Sequence, residues 1–185
     1  TLTRSFPGTL VVSISERAPV ARLSAQDKDA LPRTLLVARD GVVYEGEGYD
    51  AAMIQTLPWL NGVKLTRVGG RFQPIAGMES VADLLAKAKL EAEHLYNTWR
   101  VVSLARLESD SEIDVTTRDS TRVTFSLTED FFRQLANLDA ILDAAAAHPE
   151  KTPRQINLAV GAQVPVAFNN TPPADAPVIR PAPPV

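Results

Sequence analysis

Hydrophobic and polar positions alternate with a period of two in several short stretches, which is typical of half-buried strands. Near the start, Leu10, Val12 and Ile14 fall on one side of such a stretch. Further on, residues 35–37 and 42–44 flank Asp40-Gly41, a dipeptide favoured in tight hairpin turns because glycine accepts positive φ. Three later stretches, 100–108, 112–117 and 122–127, predict an antiparallel meander.

Two longer segments follow a helical period instead. The first is predicted over about residues 80–99, with Ser80 as its N-cap, and the second over about 129–147, with Thr128 as its N-cap and Pro149 ending it. The apolar stripes are Val81, Leu84, Leu85, Ala88, Ala92, Leu95 and Trp99 in the first helix, and Phe131, Leu135, Leu138, Leu142 and Ala145 in the second.

The stretch INLAVGAQVPVAF, residues 156–168, predicts a last strand because it is rich in β-branched and aliphatic residues. Pro165 cannot donate to a strand ladder, so it places this strand at a sheet edge or at a bulge. Residues 169–185 hold six of the fourteen prolines and predict a solvated, disordered tail. These elements together predict an α+β fold, a mostly antiparallel curved sheet with two helices packed on it.

Composition narrows the possible functions. The 185 residues carry a formal net charge of −3 and show no block of Lys and Arg, which argues against a nucleic-acid binder. The absence of cysteine excludes disulfides, thiolate metal sites and cysteine nucleophiles. No apolar run approaches the length that spans a bilayer.

Candidate chemistry is sparse. Residues 46–51, GEGYDA, match a dinucleotide-binding pattern, but Pro58 leaves only a short turn of helix after them, so a plain loop is the favoured interpretation. His94 stands three residues after Glu91, a spacing used in di-iron bundles, yet the second helix offers no matching motif and a solvated helix face explains His94 better. His148 suits the end of the second helix. No catalytic residue, metal site or cofactor is predicted.

Four motifs in order carry a resemblance to the FtsQ/DivIB family of bacterial cell-division proteins. They are residues 7–21 with the sequence SERAPVA inside them, the hairpin core 36–44, the turn LPWLNG at 57–62, and the start of the last strand at Ile156-Asn157-Leu158. The resemblance covers nearly all of the chain up to Phe168.

The resemblance implies a non-enzymatic scaffold taken from a longer protein. Residues 1–22 correspond to the end of a POTRA domain, 23–168 to a β domain and 169–185 to the proline-rich tail. Members of this family have a single transmembrane helix upstream, which implies a place on the periplasmic side of the inner membrane.

The resemblance also implies partners, the FtsB- and FtsL-like proteins of the divisome. In this family a partner strand pairs with the last strand of the β domain, a form of β-augmentation. Ala159 stands where the family commonly has Arg, and Val160 where it has an aromatic residue. The partner-binding residues that this implies are Val160, Ala162, Gln163, Val164, Val166 and Phe168.

Two other classes compete with the scaffold. A POTRA-linked component of outer-membrane assembly or secretion would continue into strands of a membrane barrel, whereas this sequence continues into prolines. A periplasmic nucleotide-binding enzyme would use residues 46–51.

Overall fold

A computed structural model describes residues 2–5, 9–12, 17–25, 31–148, 150–161 and 163–170. Strands are numbered in chain order. Nine of them form the main sheet, and in spatial order they are β13 Val166–Asn170, β12 Lys151–Asn157, β11 Arg122–Ser126, β10 Glu112–Thr117, β9 Trp99–Ser103, β6 Trp59–Asn61, β3 Pro19–Ala25, β4 Arg33–Ala38 and β5 Val43–Tyr44.

Four short strands form two separate ribbons, β1 Leu2–Ser5 with β2 Thr9–Val12, and β7 Arg67–Val68 with β8 Arg71–Phe72. The α-helices of the described residues are α1 Ala51–Thr56, α2 Met78–Glu91, α3 Glu93–Tyr96, α4 Leu107–Asp110 and α5 Phe131–Ala146. None of these described helices is long and apolar enough to cross a lipid bilayer.

The fold is α+β, and its main sheet is mixed. Five of its eight strand pairings are antiparallel, including the predicted β9–β10–β11 meander and the β4–β5 hairpin. The β3–β6, β6–β9 and β11–β12 pairs are parallel, which the predicted antiparallel sheet did not include. Parallel neighbours need a long crossover connection, and α5 supplies one between β11 and β12. Strand patterns do not reveal which strands become neighbours.

One face of the sheet carries the core. Strand β10 shows the alternation most clearly, since Ile113 and Val115 are buried while Asp114 between them is not. Helices α2 and α5 cover this face with their apolar stripes. The buried side chains they contribute to the shared core include Met78, Val81, Leu84, Leu85, Ala88, Leu135 and Leu138.

The first helix is shorter than predicted. It begins after Gly77, whose φ of 72° suits glycine, rather than at a Ser80 cap, and it ends at Glu91. Ala92 leaves helical geometry at φ −141° and ψ 54°, and α3 then continues the apolar stripe. Trp99 lies in β9, where its ring stands 5.4 Å from that of Phe125. The apolar residues keep their helical spacing across the break between α2 and α3, so the hydrophobic pattern could not predict the break.

The second helix lies close to its prediction, but Asp130 caps it. The Asp130 carboxylate accepts a hydrogen bond from the Arg133 amide at 2.9 Å, as an N-cap residue does. Thr128, the predicted cap, instead places its hydroxyl 2.9 Å from the hydroxyl of Ser126.

At the amino-terminal end, β2 confirms the predicted strand over residues 9–12, while Ile14 lies outside the described residues. Strand β3 belongs to the main sheet and spans the predicted domain boundary between residues 22 and 23.

Candidate partner-binding edge

Residues 156–168 form two strands and a turn, so the prediction of one continuous strand is wrong. Strand β12 ends at Asn157, whose side-chain oxygen accepts a hydrogen bond from the Ala159 amide at 3.0 Å. A single turn of 3₁₀ helix, Leu158–Val160, follows, and Gly161 at φ 79° redirects the chain. The chain then returns as β13, antiparallel to β12. Two residues in the sequence indicate this break, Asn157, which caps the turn, and Gly161, which follows it.

The return places β13 at one end of the main sheet. Its inner side pairs with β12 in a register that sets Val166 opposite Ile156 and Ala167 opposite Gln155. No described strand pairs with its outer side. The predicted edge is therefore present, but it belongs to β13 alone, because β13 covers β12.

Pro165 faces inward, toward β12. Its carbonyl oxygen accepts a hydrogen bond from the Asn157 amide at 3.0 Å. Opposed residues of an antiparallel pair alternate between those whose backbone groups face the partner and those whose groups face away. Counting from Pro165, the backbone groups of Ala167 face β12, whereas those of Val166 and Phe168 point outward.

A bulge lies in β12, not in β13. The register shifts between Pro153 and Gln155, so that Phe168 stands opposite Pro153. A bulge is one of the few places where a sheet tolerates proline. The extra residue is on β12, so the alternation along β13 continues unbroken past the bulge.

The predicted partner-binding residues are distributed along this hairpin. Val166 and Phe168 lie on β13, where Val166 is half-buried against the core and Phe168 is 42% exposed. Val160 ends the 3₁₀ turn and is exposed, while Gln163 and Val164 lie in the connection. Ala162 lies outside the described residues. Asn169 and Asn170, assigned to the tail by the sequence, extend β13.

The opposite edge of the sheet is less open. Strand β5 has only two residues, and its Tyr44 hydroxyl donates to the carbonyl of Arg17 at 3.2 Å. Short edge strands offer little backbone to an incoming strand. Of the two edges, β13 presents the longer row of unpaired groups.

A polar cluster holds the hairpin against the rest of the sheet. The Thr121 hydroxyl lies 2.9 Å from the Pro153 carbonyl oxygen and 3.0 Å from the Asp119 carboxylate, and the Thr117 hydroxyl donates to the same carboxylate. Burial raises the pKa of Asp119, but hydrogen bonds from these two hydroxyls outweigh it and hold that pKa below its ordinary value.

The segment 46–51 has a structural explanation. A Cβ at Gly46 would clash with the side chain of Leu36, so glycine lets this segment pack closely against Leu36. The helix that follows has six residues, and the Asp50 carboxylate already occupies its N-terminus by accepting from the Ala52 amide at 2.9 Å. A capping carboxylate would repel a pyrophosphate at that point.

Both histidines lie on the surface, as the sequence indicated. His94 Nε2 lies 2.8 Å from Asp139 Oδ1 and so connects α3 to α5. His148 Nδ1 lies 3.5 Å from a carboxylate oxygen of Glu150. Within the described ranges, no group of three or more His, Asp or Glu side chains could hold a metal ion.

Comparison with known proteins finds similarity to solved structures, nine chains in all. No family model matches the chain, and no curated protein matches it. A solved structure, the major extracytoplasmic domain of the trans isomer of the cell division protein DivIB from Geobacillus stearothermophilus, is similar over 72% of this chain and 98% of its own, with 16% identity and a TM-score of 0.40. It belongs to the family that the four motifs resemble.

Proposed function

We propose that this chain is a non-enzymatic scaffold of bacterial cell division that binds FtsB- or FtsL-like proteins through the outer edge of β13. It would act on the periplasmic side of the inner membrane, held there by a transmembrane helix of a longer protein. The sequence motifs support the family, and the unpaired edge of β13 supports the binding mode.

The observation that carries the proposal is the direction of the backbone groups on β13. Val166 and Phe168 direct their N–H and C=O groups away from β12, and no described strand accepts them. A partner strand laid against this edge would satisfy them with main-chain hydrogen bonds. The missing N–H of Pro165 does not interrupt this row, because Pro165 faces β12.

Side chains along the same strand supply specificity. Phe168 is a large apolar side chain at a sheet edge, 42% exposed, and burying the rest of it against a partner would add hydrophobic stabilisation. Asn169 and Asn170 lengthen the row of backbone groups toward the end of β13. Five strand residues offer two or three pairs of outward hydrogen bonds.

The test is a calorimetric titration with the periplasmic segment of an FtsB-like protein from the same organism. Val166→Pro removes one outward N–H and places a ring where the partner strand would lie, so we expect at least a fivefold loss of affinity. Val166→Thr keeps that N–H and a β-branched shape, and we expect it to bind within twofold of the wild type. Equal affinity of Val166→Pro and wild type, with unchanged thermal unfolding, would overturn strand pairing at this edge.

A further inference from the structure

A cleft at one end of the central strands gathers arginine and tryptophan side chains. It has a volume of about 640 Å³ and lies at the end of the sheet where β6 and β9 begin and β10 ends. Its charged lining residues are Arg22, Arg100 and Arg118, and none of the residues that line it is acidic. Both tryptophans of the chain, Trp59 and Trp99, also line it.

The three arginines of this cleft differ from five other arginines of the chain in having no carboxylate partner. Within the described ranges, Arg17, Arg33, Arg39, Arg106 and Arg133 each pair with a carboxylate at 2.5–3.1 Å. Arg22, Arg100 and Arg118 form no ion pair with any described residue. The cleft therefore holds positive charge that the described part of the chain leaves uncompensated.

Arg22 is held in a fixed position. Its guanidinium lies 4.3 Å from the centre of the Trp59 ring, and Nη2 donates to the carbonyl of Gln55 at 3.2 Å. Arg22 Nε and Trp99 Nε1 are buried with no acceptor among the described residues. A stacked guanidinium with one edge already bonded is preorganised for a carboxylate.

The spacing of the arginines favours an extended ligand over a single small anion. In the strand register, Arg22 of β3 lies opposite Trp59 of β6, and Trp59 lies opposite Val101 of β9. Val101 in turn lies opposite Thr116 of β10, so these positions form one row across four neighbouring strands. Arg100 and Arg118 lie within two residues of this row. Neighbouring strands are about 4.8 Å apart, which separates the β3 and β10 backbones by roughly 14 Å. Alternate side chains of an extended peptide recur about every 7 Å, so acidic residues at i, i+2 and i+4 span that distance.

We propose that this cleft binds an acidic peptide segment in an extended conformation, with carboxylates on Arg22, Arg100 and Arg118 and an apolar side chain against Trp59. This site lies on the central strands and is separate from the β13 edge. The proposal of a peptide site here therefore does not depend on the proposed role in cell division. Ligand binding here depends on charge and weakens as salt rises.

The test uses the fluorescence of the two tryptophans, both of which line the cleft. The full chain is titrated with a ten-residue peptide that alternates Glu and Ser, with the same peptide carrying Gln in place of Glu, and with inorganic phosphate. We expect saturable quenching or a spectral shift with the Glu peptide alone, abolished by 0.5 M NaCl. Equal binding of the Gln peptide, or phosphate binding as tight as the Glu peptide, would overturn the proposal.

Paired variants locate the site. Arg100 and Arg118 are exposed, so the double variant Arg100→Gln/Arg118→Gln should fold like the wild type by circular dichroism and lose at least tenfold in affinity. Arg154→Gln removes an exposed arginine of β12 that does not line the cleft, and it should bind within twofold of the wild type. An equal loss in both variants would mean non-specific charge attraction and would refute a defined site.

Discussion

The amide of Asn157 donates a hydrogen bond to the carbonyl of Pro165 at 3.0 Å, and this pair fixes which way the edge strand faces. Sequence alone left open whether the missing N–H of Pro165 would face an incoming partner or fall at a bulge. The hydrogen bond shows that the backbone of Pro165 faces β12. The bulge lies one strand inward, beside Pro153.

Pro165→Ala should leave partner affinity within twofold of the wild type, because the restored N–H would point at β12. For stability, the new N–H adds a hydrogen bond worth about 0.5–1.5 kcal/mol. Loss of the proline ring costs about 0.4–1 kcal/mol through the unfolded chain, so the two effects nearly cancel. Titration with the FtsB-like segment and urea unfolding measure the two quantities. Several-fold tighter binding would show that Pro165 faces the partner.

Phe168→Ala should weaken partner binding by about 1–3 kcal/mol, the range for losing a large buried apolar side chain from an interface. The matched control is Phe132→Ala on α5, which removes the same side chain at a similar exposure, 52% against 42%. We expect the control to bind like the wild type. If Phe132→Ala reduced affinity as much as Phe168→Ala, contact at β13 would lose its support.

Gln134 joins α5 to the end of β11, and its replacement by Leu should destabilise the fold. Its side-chain amide donates to the Ser126 carbonyl at 2.9 Å and accepts from the Ser126 amide at 2.9 Å, and the residue is fully buried. Gln134→Leu leaves both backbone groups buried without partners, at a cost of about 2–4 kcal/mol. Urea unfolding should show this loss, whereas Gln73→Leu, at an exposed position, should change stability by less than about 0.5 kcal/mol. Equal stability of Gln134→Leu and wild type would contradict it.

Local signals predicted local structure well. Asp40-Gly41 marked a hairpin whose turn glycine has φ 78°, and a Cβ there would lie 2.3 Å from the Ile75 carbonyl oxygen. The parallel pairing of β12 with β11 brings together residues more than thirty positions apart, and nothing in either strand encodes it. The sequence did not predict the arginine cleft for the same reason. Its residues Arg22, Arg100 and Arg118 are far apart in sequence and come together only through the order of the strands in the sheet.

The cluster around Asp119 is sensitive to acid. Hydrogen bonds from Thr117 and Thr121 hold the pKa of Asp119 below its ordinary value despite burial, so the ionised carboxylate stabilises the folded state. That contribution is present above the unfolded pKa of about 3.9 and disappears as pH falls through the folded value. Because Asp119 is exposed, its size should stay below about 1 kcal/mol.

Asp119→Asn should therefore be less stable than the wild type at pH 7, and the difference should narrow below about pH 4 as the wild-type carboxylate becomes protonated. Urea unfolding at a series of pH values from 7 to 2.5 measures it. Asp110→Asn, an exposed carboxylate in α4, is the control and should run parallel to the wild type across the series. A stability difference for Asp119→Asn that stayed constant with pH would mean that the hydroxyls do not favour the ionised carboxylate.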